Sequence, residues 1–241
     1  ETDVTVGAPA LTNGGASTGD AVAAAGAVSF DGTGLLTPGA VNLLADPTAG
    51  SDQTFTFSAA AGTFDFLAEG EVLEIAYTLT ATDDSGVAVD DTDSTVVTVV
   101  VTGTNDAPTI SVVPANGDSN SDVETETDIA LLDMTGSLTA LDLDLNDTVA
   151  ITTALSSATL TEGGAPDVVS APLQADIDLS SFTVLPTAAN ADAPAGDSIA
   201  WTFSSNTAEF DALQQGDILT LEYVVTVTDS QGATGNETVS L

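Results

Sequence analysis

The stretch EVLEIAYTLTATDDSGVAVDDTDSTVVTVVVTGTNDAPT, Glu71 to Thr109, decides how the chain folds. Leu73, Ile75, Tyr77, Leu79 and Ala81 fall on one face of an extended backbone and Glu74, Thr78, Thr80 and Thr82 on the other, the period-two pattern of a half-buried strand. Val97, Val99 and Val101 repeat the alternation across Thr95 to Thr102. The acidic segment Asp83 to Asp93 joins the two runs, so together they read as the last hairpin of a β-sandwich. Asn105-Asp106-Ala107-Pro108 ends the pattern, and a new strand begins at Thr109.

The pattern recurs. Shifted by 146, Phe55 to Gly86 matches Trp201 to Gly232 at 13 of 32 positions without a gap. Leu219, Leu221, Tyr223, Val225 and Val227 stand where the first copy has Leu73 to Ala81. A recurrence of this length marks an array of related units. The boundary is expected after Ala107, giving units 1–107 and 108–241, both truncated: the first lacks its opening strand or strands, and the second stops in mid-strand at Leu241. Two readings follow from these complementary ends. Either the chain is a window of a longer array, or each chain lends a terminal strand to a neighbour in a head-to-tail filament.

Charge restricts the partners. The 241 residues contain no Lys, Arg or His, and the formal charge is −37. No carboxylate can pair with a basic side chain, so a buried or clustered one must be hydrogen-bonded, protonated or neutralised by a bound cation. Nucleic acid is excluded as a partner because phosphate binding needs Lys and Arg. No apolar run is long enough to cross a bilayer as a helix, so membrane insertion is not expected. A hydrophobic fraction of 43% favours a folded chain over an acidic disordered one. Without Cys there are no disulfides or thiolate metal sites, and oxygen ligands of the kind calcium takes are what remain.

Along the chain, residues 1 to 53 are Ala- and Gly-rich, with Val4 and Val6 alternating, possible packing segments at Leu35-Leu36 and Val41 to Leu44, and a turn at Ala45 to Gly50. The second unit begins with a polar loop from Gly117 to Asp128. A strand through Leu138 runs into LDLDLND (Leu141 to Asp147), and strands are expected at Val149 to Thr153, Phe182 to Leu185 and Ile199 to Phe203.

Tyr77 to Asp83 followed by Val97 to Gly103 and Thr104-Asn105-Asp106-Ala107-Pro108-Thr109 resembles the VCBS and cadherin-like tandem repeats of large bacterial, RTX-type surface adhesins. The likeness covers both units and is strongest over the last three strands of each. It implies all-β, tandem Ig/cadherin-like Greek-key sandwiches on a secreted or cell-surface fibre, with Ca2+ held at the joints. Carried over by residue, it assigns metal-ligand roles to Asn105 and Asp106 in the linker, to the pair Asp142 and Asp144, and to Asp229. Asp83 takes that role for a joint with a preceding unit, Glu71 (with its counterpart Asp217) at the start of the long strand, and Glu124 or Glu126 near the start of the unit. Thr102 departs from the animal cadherin pattern, which has an Asp there.

Part of this stands without the resemblance. In an extended segment Asp142 and Asp144 point the same way, about 7 Å apart, close enough to share an ion; the alternative is an edge strand with a solvated acidic face. Asp83-Asp84-Ser85-Gly86 is equally a hairpin turn, and Asp90, Asp91 and Asp93 a solvated loop. Catalysis is not expected. Nucleophilic triads need residues this chain lacks, and the half-motif Asp84-Ser85-Gly86 loses its Asp in the copy Ser230-Gln231-Gly232.

The expected role is therefore mechanical, a spacer or shaft segment of a calcium-stiffened bacterial adhesin or surface fibre, with calcium and neighbouring repeats as partners. The self-assembling filament subunit is one alternative. The other is a carbohydrate- or surface-binding module using the single Trp, Trp201, although its alignment with Phe55 in a strand points to core packing.

Overall fold

Alternating runs become antiparallel strands in the computed structural model, which describes residues 3–15, 17–39, 53–82, 92–127, 131–145, 147–191, 195–205 and 210–241. Asp83, the rest of the loop through Asp91, and the segments expected at Val41 to Leu44 and Ala45 to Gly50 lie outside the described residues. The fold is all-β with two short helices. Its contacts divide it into Glu1–Asn105 and Asp106–Leu241, two residues before the boundary read from the proline.

The first unit contains β1 (Asp3–Val6), β2 (Ala10–Asn13), α1 (Ala21–Ala27), β3 (Leu36–Pro38), β4 (Phe55–Phe57), β5 (Val72–Thr82) and β6 (Thr92–Thr102). β5 is the centre of its larger sheet, with β1 and β2 in succession along one edge and β6 along the other. Leu73, Ile75, Tyr77 and Leu79 are buried, the face the alternation selects. β3 and β4 form a separate two-stranded sheet.

The second unit contains β7 (Thr109–Ser111), a 3-10 turn (Pro114–Asn116), β8 (Asp133–Leu141), β9 (Val149–Glu162), β10 (Ala165–Asp167), α2 (Ala171–Leu179), β11 (Ser181–Leu185), β12 (Ala188–Ala189), β13 (Asp197–Ser204), β14 (Ile218–Thr228) and β15 (Thr234–Ser240). One sheet has the order β11-β13-β8-β7. The other has β10-β9-β14-β15, with β12 also on β9. Both contribute to one core, Leu138, Ile199, Trp201 and Phe203 from the first and Val149, Tyr223, Val225, Val227 and Val239 from the second. The strand expected to break off at Leu241 is β15, which pairs with β14 from Glu222 to Thr228.

Trp201 is 1% exposed and donates its indole N–H to the Ser119 carbonyl at 2.7 Å. Opposite it on β8 is Gly136, where a Cβ would come within 2.3 Å of the ring. The indole thus has no free face for a sugar to stack on.

The units repeat each other in register as well as sequence. Leu36 faces Phe57 as Phe182 faces Phe203, an offset of 146 at both positions. Between the pairs Val6↔Leu79 and Ala10↔Ala76, three residues oppose two. The same excess lies between Thr153↔Val225 and Ser157↔Glu222. One extra residue on one strand is a β-bulge, a feature that twists the strand locally. In the first unit it includes Pro9, whose missing N–H a regular ladder position would not tolerate.

Both helices were absent from the sequence reading. Asp20 caps α1 by accepting from the Ala23 N–H, and Ser170 caps α2 by accepting from the Leu173 N–H ahead of Pro172 in the first turn. Each crosses from the strand run β1–β2 or β9 to β3 or β11.

Candidate metal centre

β8 delivers the chain at Leu141, after which it turns instead of staying extended. Asp142 donates its N–H to the Ala191 carbonyl at 2.7 Å, and its Oδ1 accepts from the Asp144 N–H at 3.1 Å. This carboxylate-to-backbone bond two residues on is an Asx turn. It brings the second aspartate inward by a bend, where the sequence reading relied on the pleat of a strand. Leu143 between them points outward and Leu145 enters the core.

Asp142 and Asp144 are both 0% exposed. Asp144 Oδ2 accepts from the Asp106 N–H at 2.7 Å. Asp142 Oδ2 and Asp144 Oδ1 are buried with no hydrogen-bond partner. Burial is the main reason their carboxyls are raised: Asp142 reaches about 6, with Asp147 and Asp229 adding repulsion, and Asp144 about 7, with Asp142, Asp106 and Asp147 adding theirs. The backbone N–H bonds oppose these shifts without cancelling them.

Asp229 is buried at the end of β14, where its Oδ1 accepts from the N–H groups of Gln231 and Ala233 at 2.9 and 2.8 Å. Asp147 accepts from the Ser230 hydroxyl at 3.2 Å, tying the two loops together. The second unit therefore gathers Asp106, Asp142, Asp144, Asp147 and Asp229 at one end. Asp147 is an addition to the expected set, visible in the sequence as the last residue of LDLDLND. Among the described residues no three acidic side chains are already drawn into a cation cage.

No family model, curated protein or solved structure matches this chain. What the site can hold thus rests on its own chemistry.

Asn105, half-buried, closes the first unit. Glu71 is buried in the first unit, where its Oε2 accepts from the Ala68 N–H at 3.2 Å across a tight turn. Glu124 is exposed in the loop before β8. That loop meets the start of β8, where the Thr135 N–H reaches Asp122, while Asp142 follows the strand's other end. Nine residues of strand, roughly 26 Å, separate the two ends.

Two buried carboxylates with unpartnered oxygens fit a hard cation. Calcium takes six to eight oxygens and tolerates irregular geometry, so carbonyls, neighbouring carboxylates and water can complete a shell that two aspartates begin. The lack of His and Cys removes the nitrogen and sulfur donors on which most zinc and copper sites are built.

Proposed function

We propose that this chain is a segment of an extracellular tandem-repeat fibre, a structural spacer of a bacterial adhesin or surface filament, whose successive β-sandwich units are stiffened by calcium. The observation that carries the reading is the buried pair Asp142 and Asp144, which keep two carboxylate oxygens without hydrogen-bond partners in a chain that has no basic side chain. A neutral protein interior does not accept such charges cheaply. A bound Ca2+ removes the penalty, and the Asp106 bond sets the site where the polypeptide enters the second unit.

The sandwich reading is of the Ig/cadherin Greek-key kind. Letter the main strands of the second unit A to G in chain order, taking β7 as A, β8 as B, β9 as C, β11 as D, β13 as E, β14 as F and β15 as G. The two sheets then read DEBA and, after β10, CFG, the order of immunoglobulin-type sandwiches. The repeated bulge and register support tandem units. Under this reading the partners are calcium and neighbouring repeats, and the location is the cell surface or medium.

Thermal unfolding and sedimentation in calcium and in EDTA test the proposal. Extracellular modules bind calcium with dissociation constants of about 10⁻⁴ to 10⁻³ M, so a tenfold excess stabilises each site by about 1.4 kcal/mol. A melting temperature and a frictional ratio both indifferent to calcium would defeat it.

A further inference from the structure

The turn that carries Asp142 and Asp144 leans on a residue in a costly backbone state. Ala191 is fully buried and has a φ of 57°, in the left-handed region that only Gly enters without steric cost. Its carbonyl accepts the Asp142 N–H at 2.7 Å, and its own N–H donates to Asp197 Oδ2 at 3.2 Å. Backbone strain of this kind persists where the surroundings over-determine it, and it gathers at ligand clamps. The neighbouring strands supply that determination. Ala189 of β12 pairs with Val149 of β9, whereas Asp197, which opens β13, pairs with Ala140 of β8. The chain thus leaves one sheet and joins the other between these points, beside the end of β8 that Asp142 follows. Gly196 lies so close to the Ala140 carbonyl that a Cβ has no room, which pins the backbone just ahead of Asp197.

From this relay of contacts we infer that Asp197 is a positioning residue for the cation site, acting through the left-handed Ala191 to keep the free oxygens of Asp142 and Asp144 turned inward. Asp197 is itself exposed, and its hydrogen bond runs to the Ala191 N–H rather than to either aspartate. Its part is therefore to hold the Ala191 carbonyl where the Asp142 N–H meets it, so that the Asx turn from Asp142 to Asp144 is formed before an ion arrives. Groups behind the ligands of a metal site matter in this way, and changing one weakens metal affinity by about ten- to a hundredfold. The inference rests on the calcium reading and names the residue that preorganises that site. Nothing in the sequence marks Asp197 for the role, because the relay joins residues 142, 191 and 197 only through the fold.

Three variants of the full chain separate positioning from charge. Asp197→Ala and Asp197→Asn remove the same negative charge, but Asn keeps an oxygen for the Ala191 N–H. Ala191→Gly, added to Asp197→Ala, lets the position stay left-handed without steric cost. In a calorimetric calcium titration Asp197→Ala is expected to bind about tenfold more weakly than Asp197→Asn, and the Gly substitution to recover most of the difference. In EDTA the Asp142 amide, whose acceptor is the Ala191 carbonyl, should exchange about tenfold faster in Asp197→Ala than in Asp197→Asn, with the same rescue. Equal Asp142 exchange in the Ala and Asn variants overturns the inference, as does equal calcium affinity. A loss in Asp197→Ala that Ala191→Gly does not repair also overturns it, since that marks a general loosening rather than a lost relay. A wild-type chain that takes up no calcium defeats the calcium reading instead, and the exchange comparison then decides the positioning by itself.

Discussion

Replacing Asp144 by Asn should have opposite effects with and without calcium. Without an ion, burial and the charges of Asp142, Asp106 and Asp147 raise the Asp144 carboxyl from 3.8 to about 7. Folding then favours the protonated acid. The stability this group contributes is complete below its unfolded value near 4, declines as the pH rises, and is gone above about 7. At about 1.4 kcal/mol per pH unit, the ionised side chain costs the ion-free fold on the order of 4 kcal/mol at pH 8. Asn removes that charge and keeps an oxygen for the Asp106 N–H. Its amide N–H groups replace an unpartnered oxygen and return roughly 1 to 3 kcal/mol of the gain. The net expectation in EDTA at pH 8 is stabilisation by about 1 to 3 kcal/mol, a rise of several degrees in the melting transition of the second unit. In saturating calcium the same variant loses its ligand and melts below the wild type. Calorimetry of both proteins in both buffers reads the crossing directly. A variant that is less stable than the wild type in EDTA as well as in calcium refutes the reasoning.

Other expectations follow from named contacts. Asp118 accepts from the Val113 N–H, Ser137 Oγ and Thr139 Oγ1 at 3.1, 2.7 and 2.6 Å, and its carboxyl is lowered by those bonds despite its burial; Asp118→Ala should cost about 2 to 4 kcal/mol in denaturant melts at pH 7, with the difference shrinking as acid protonates the carboxylate. Gly136→Ala pushes a methyl into the Trp201 ring and should destabilise by about 1 to 3 kcal/mol while shifting the tryptophan emission, whereas an unchanged spectrum and melt would contradict the packing described. Glu124→Gln should leave calcium affinity unchanged in a calorimetric titration, because that loop adjoins the opposite end of β8 from Asp142.

Period-two alternation made β5, β6 and β14 legible, because one buried face and one solvated face leave a direct trace in sequence. Phe182 to Leu185 and Ile199 to Phe203 were found for the same reason as β11 and β13. β9 runs to Glu162, well beyond Thr153, because the alternation fades where Leu155, Ser156 and Ser157 pass through the bulge. The helices were missed since AVAAAGA carries no amphipathic period. The signals that announce them are the capping residues Asp20 and Ser170, with Pro172 in the first turn of α2.

The aspartate pair was legible as a pair, but its inward turn depends on the Ala191 carbonyl and the Asp106 N–H, which lie far away in sequence. Glu124 was carried over as a match to the family's N-terminal Glu, and its loop meets the start of β8.

Calcium titration followed by backbone amide resonances tests the central claim most directly. The account predicts saturable shifts confined to Asp106, the Asp142 to Asp147 turn, Ala191 and the Asp229 to Ala233 turn, with affinity falling as the pH drops through 7 toward 6, where protons compete for Asp144 and Asp142. A titration that leaves these amides unmoved, or that moves only the exposed acidic loop around Glu124, would contradict it.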